Sequence, residues 1–99
     1  MKQIIDGKIY NTETATYIGN DYGGDGFSSY DESLYKTPRG RYFLAGEGGP
    51  MTKYAESAGQ NSWRGSKKII VLSEEEARQW AEEHMDTDEY LKFFKAEEA

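Results

Sequence analysis

The stretch Lys67-Lys68-Ile69-Ile70-Val71-Leu72-Ser73-Glu74-Glu75-Glu76-Ala77-Arg78-Gln79-Trp80-Ala81-Glu82-Glu83-His84 decides the fold class, because its periodicity changes once. Lys67 to Leu72 carries an uninterrupted Ile-Ile-Val-Leu run, the pattern of a strand covered on both faces. Ser73-Glu74-Glu75-Glu76 is then a capping box: the Ser hydroxyl takes the third amide of a helix and Glu76 reaches back. Ala77, Trp80, Ala81 and His84 follow at i, i+3, i+4 and i+7, one apolar stripe on a helix running to about His84. A buried strand entering an amphipathic helix points to a mixed protein.

Upstream the chain reads as strands. Asp6-Gly7 between Lys2-Gln3-Ile4-Ile5 and Lys8-Ile9-Tyr10 is a two-residue hairpin signal, since a type I′ turn needs positive φ at both central positions. Asn11 to Thr14 favours a turn. Thr16 to Tyr22 resumes a strand, with Thr16, Ile18, Asn20 and Tyr22 expected on one side and Tyr17 on the other. Ser29 to Thr37 and Arg41 to Ala45 flank Pro38-Arg39-Gly40 as a second hairpin. Gly46 to Ser66 shows no period and reads as a long loop, with Met51, Tyr54 and Trp63 expected to anchor it. Asp86-Thr87-Asp88-Glu89 opens a second short helix carrying Tyr90, Leu91, Phe93 and Phe94. The expected fold is a single α+β domain over residues 1–99, an antiparallel sheet of four to six strands with one or two C-terminal α-helices.

Composition narrows the function. The 99 residues hold 18 acidic and 12 basic side chains, a net charge of −6. Residues 73–99 carry ten acids against three bases, so the rest of the chain is close to neutral. An acidic face repels nucleic acid and membrane surfaces and attracts basic protein surfaces. The absence of Cys removes disulfide and thiol chemistry. No apolar run exceeds four residues, against the ~20 a membrane helix needs, and the first residues lack the apolar segment of a signal peptide. A cytoplasmic location is therefore expected.

Catalytic and metal motifs fail on spacing. With one His and no Cys, a zinc or iron site would rest almost wholly on carboxylates. Asp21 to Gly26 lacks the alternating ligands and distal Glu of a calcium loop, and Gly46 to Pro50 lacks the Gly-Lys-Ser/Thr ending of a phosphate loop. No nucleophile elbow is present, although distant acids that converge in the fold would escape such a reading. No catalytic residue, metal ligand set or cofactor is expected. Direct DNA binding is the weakest reading, because Arg39, Arg41, Lys53, Arg64, Lys67 and Lys68 lie on no recognition helix.

The acidic helices remain. Acids interleaved with aromatics suit a basic, partly apolar protein partner. The candidate binding residues are Glu74, Glu75, Glu82, Glu83, Asp86 and Glu89, with Tyr90 and Phe94 as apolar anchors. The alternative is an assembly module that associates through a Tyr-rich sheet face comprising Tyr17, Tyr22, Tyr30, Tyr35 and Tyr42.

Three stretches carry a resemblance: Tyr10 to Ala15, Tyr42 to Tyr54, and Leu72 to Ala77 running into Trp80-Ala81-Glu82. Together the chain resembles a family of small acidic proteins carried on phages, plasmids and integrative elements of bacteria, among which anti-CRISPR proteins are found. The resemblance implies a non-enzymatic inhibitor that occupies the basic nucleic-acid-binding surface of a defence complex, with a CRISPR effector subunit as the partner. It supplies no functional residues of its own.

Overall fold

The computed structural model describes residues 1–99. Eight strands and two helices follow in order: β1 (Lys2–Ile5), β2 (Lys8–Asn11), β3 (Thr16–Gly23), β4 (Tyr30–Lys36), β5 (Tyr42–Gly48), β6 (Glu56–Gly59), β7 (Ser62–Arg64), β8 (Ser66–Leu72), α1 (Glu74–His84) and α2 (Thr87–Phe93). The main sheet is antiparallel in the order β3-β4-β5-β8, and β1-β2 and β6-β7 form separate two-stranded hairpins. The expected α+β class, with two C-terminal helices, is what the chain forms. No helix is long and apolar enough to cross a membrane.

Local chemistry sets the turns. Asp6 and Gly7 both take positive φ, 51° and 75°, as the type I′ turn demands. Gly40 takes φ 86° at the end of the Pro38-Arg39-Gly40 turn, where any other residue would be strained.

The two faces of the main sheet are covered differently. On one, α1 and α2 bury Ala77, Trp80, Ala81 and Phe94 against Ile18, Leu34, Tyr42 and Leu44. On the other, the β1-β2 hairpin buries Tyr10 against Phe43 and Ile69. Lys67 to Leu72 is thus covered on both faces in part, but β8 lies at the sheet edge and Val71 is exposed. The expectation of a wholly buried strand is corrected accordingly. Gln3 caps part of that edge by accepting from the Ile69 N–H through its side-chain oxygen.

Three further readings are corrected. A bulge between Tyr17 and Gly19 breaks the alternation of β3. Ile18 and Asp21 therefore face the helices, while Tyr17 and Tyr22 pair with Tyr35 and Asp31 on the opposite face. The segment from Gly46 to Ser66 is not structureless: β5 continues to Gly48, and β6 and β7 form a hairpin. Of its three expected anchors only Tyr54 is buried, whereas Met51 and Trp63 lie in solvent. The β6-β7 hairpin is exposed along its whole length and projects from the body. The radius of gyration of the chain is 14.6 Å, above the about 13 Å usual for 100 residues.

The capping box of α1 forms as expected: Ser73 Oγ accepts from the Glu76 N–H and Glu76 Oε1 accepts from the Ser73 N–H. Those hydrogen bonds hold the Glu76 carboxyl below its ordinary range. A depressed carboxylate contributes stability above its unfolded pKa and loses it as pH falls through the folded value, so acidification weakens this cap. Ser73→Ala is expected to cost about 0.5–2 kcal/mol, lowering the melting midpoint by about 4–8 °C per kcal/mol, and an unchanged midpoint in thermal unfolding would refute the cap's role.

Candidate functional site

The acidic residues singled out in the sequence fall on the solvent side of α1 and at the start of α2. Helical spacing places Glu75, Glu82 and Glu83 opposite the buried Ala77-Trp80-Ala81 stripe, and all three are exposed. Glu75 and Glu82 make no ion pair, and Glu83 lies 3.8 Å from His84 Nε2. The other acids have work inside the fold. Glu74 pairs with Arg78 at 3.3 Å, one helical turn on. Asp86 caps α2 by accepting from the Glu89 N–H, which holds its carboxyl below the ordinary range. The hydrogen bond to Asp86 pushes the Glu89 carboxyl up.

Tyr90 is half-buried and lines a groove of about 580 Å³ between α1, α2 and the C-terminal residues. Met85, Leu91 and Ala96 share its apolar lining, and Glu82, Glu97 and Glu98 supply its carboxylates. Phe94 is not available as an anchor, which corrects the expectation. It is 4% exposed, stacked on Tyr42 and tilted against Tyr90, so its ring belongs to the core. Acids beside an apolar groove can hold a basic side chain whose aliphatic stem lies on the groove while its charged head meets a carboxylate.

The Tyr-rich face is mostly consumed by packing. Tyr35 stacks on Phe43, Tyr17 meets Tyr35 edge to face, and Tyr42 is buried beneath the helices. Tyr17 and Tyr22 remain exposed.

A second constellation had no sequence signature. Asp21 on β3, Glu32 on β4 and His84 at the end of α1 place one ligand-type atom each within 4.8 Å of one another. Glu32 is 2% exposed. Its carboxylate accepts from Tyr54 Oη at 2.8 Å and Trp80 Nε1 at 2.7 Å, and pairs with Lys53 Nζ at 2.8 Å. Asp21 accepts from Tyr30 Oη at 2.7 Å and lies 3.2 Å from His84 Nδ1, whose ring packs on Trp80. Burial, then the hydrogen bond to Glu32, pushes the Tyr54 phenol up; the bond to Asp21 does the same for Tyr30. Two carboxylates and an imidazole are a donor set for a divalent cation. Here, however, both Glu32 oxygens are already taken by protein donors, so Glu32 is the centre of a satisfied network that locks β4, α1 and the Lys53-Tyr54 segment together, while Asp21 and His84 stay partly exposed beside it. The register Glu32↔Gly46 that seats Tyr54 could be found only from tertiary pairing.

The fold and this face define a small α+β protein with an acidic helical surface. Comparison with protein-family profiles, known proteins and solved structures finds no match.

Proposed function

We propose that the protein is a non-enzymatic inhibitor, encoded on a mobile element, that binds a basic nucleic-acid-binding surface on a bacterial defence complex of the CRISPR type. The observation that carries this reading is the set of unpaired acids Glu75 and Glu82 with Glu83 on α1, adjoining the apolar groove of Met85, Tyr90 and Leu91. Glu82 belongs to both. In this reading the carboxylates take the places of phosphate charges against Lys and Arg of the target, and the groove holds aliphatic stems. The network around Glu32 supports the same reading, because Tyr54, Trp80 and Lys53 occupy this buried carboxylate and leave it unavailable as half of a catalytic pair. The resemblance to mobile-element proteins directs the choice of target.

The test is capture of the effector complex by the tagged protein at low and moderate salt, beside the variant E75Q/E82Q/E83Q. Binding is expected to weaken about tenfold or more with salt and with the variant, since exposed charge pairs are screened within ~8–10 Å. These acids lie in solvent, so the variant is expected to keep its fold. Capture that is indifferent to salt and to the Gln changes, yet lost in Y17S/Y22S, would replace this reading with the Tyr-face assembly module.

A further inference from the structure

On this acidic protein one concave surface is basic. The Asp6-Gly7 turn of the first hairpin and the Pro38-Arg39-Gly40 turn between β4 and β5 stand side by side and enclose a cleft of about 860 Å³. Lys8, Arg39 and Arg41 line it, none of them in an ion pair, and no carboxylate is among the lining residues. Asp6 and Glu13 stand on the adjoining turns, outside the lining. Three unpaired cations around one space repel one another, and a bound anion would relieve that repulsion.

A second observation points the same way. Tyr10 is 3% exposed and lines the cleft, and its hydroxyl, bonded to no protein group, is the part of the side chain left open to the cleft's solvent. Asn11, also in the lining, accepts from the Glu13 N–H through Oδ1, which leaves its side-chain amino group without an acceptor. A phenol and an amide open to the cleft beside three cations are neutral donors able to reach the oxygens of a bound anion. The Thr37 hydroxyl accepts from the Arg41 N–H and braces the turn that carries both arginines.

We propose that this cleft binds a phosphate-bearing ligand of nucleotide size. Guanidinium forks match phosphate oxygens two at a time, and Lys8 adds a point charge. The cleft is much larger than a phosphate ion, and the exposed Ile9 and Pro38 offer an apolar wall to a sugar or base. The proposal is independent of the acidic face on α1 and stands or falls without it.

The experiment is a titration of the ¹⁵N-labelled protein with four probes: adenosine 5′-diphosphate, adenosine, inorganic phosphate, and a hexathymidylate lacking a terminal phosphate. Saturable shifts confined to residues 7–14 and 37–41 are expected with the diphosphate or the oligonucleotide, and not with adenosine. The tighter of the two assigns the ligand as a free nucleotide or as backbone phosphates. Affinity is expected to fall at least about tenfold in R39Q/R41Q, which replaces two exposed side chains and should leave the Trp80 indole signal unchanged. No saturation by about 5 mM, equal binding by the variant, or equal binding of inorganic phosphate would overturn the proposal. So would a basic cleft whose substitution only abolishes self-association, which would assign it to the acidic helices of a second copy.

Discussion

Glu32→Gln is expected to lose about 3–5 kcal/mol of stability, a large part of the about 5–15 kcal/mol that holds a typical domain together. Three donor groups, from Lys53, Tyr54 and Trp80, converge on this carboxylate, and it is almost wholly removed from water. Glutamine has nearly the same shape but turns one acceptor oxygen into an NH₂ donor. With the amide NH₂ toward Trp80 the indole N–H loses its acceptor; with it toward Tyr54 the NH₂ can donate to the phenol oxygen, but the phenol proton then loses its acceptor. Equilibrium denaturation measures the loss, and the Trp80 indole proton resonance reports whether its acceptor has gone. Lys53 is half exposed, but Lys53→Met would leave the Glu32 charge buried without its cation, so it too is expected to be destabilising, by about 3 kcal/mol. Equal stability of E32Q and the parent chain would mean that the network is ornamental.

Gly46→Ala is expected to cost about 3 kcal/mol, near the upper end for overpacking a core. The backbone of Gly46 is not the obstacle, since its φ is not positive. The obstacle is space: an added Cβ would stand 2.5 Å from Tyr54 Cζ and Oη and 2.8 Å from Glu32 Cβ. Tyr54 is wholly buried and tied to Glu32, Thr52 and Ser66, so its ring has nowhere to retreat. The substitution should therefore disturb the same Trp80 signal as Glu32→Gln and show non-additive losses when the two are combined, because they share partners. Full additivity in denaturation would place Tyr54 outside the slot above Gly46.

These two effects depend on a part of the molecule that was hidden in the sequence. Glu32 reads there as one polar position in an alternating strand, and its three partners lie 21, 22 and 48 residues away. The same blindness affected Phe94, whose place beside Tyr90 in a short acidic helix looks like an exposed anchor. It became core because α2 folds back over Tyr42. The long aperiodic segment after Gly46 misled for a related reason. The exposed β6-β7 hairpin buries no face, so its strands leave no hydrophobic alternation to read.

What the sequence by itself determined was local. The Asp6-Gly7 and Pro38-Arg39-Gly40 turns, the Ser73 and Asp86 caps, the apolar stripe of α1 and the α+β class all follow from residues within a few positions of one another. The acidic character of the last 27 residues is equally a property of the chain. Only the tertiary structure decided which acids stay free, which are spent on caps and ion pairs, and which turn meets which to enclose the basic cleft. The division has a physical cause. Turn and cap energies depend on backbone angles and neighbouring hydrogen bonds, whereas burial and charge pairing depend on which distant segments share a face, and a single bulge at Ile18 is enough to exchange those faces.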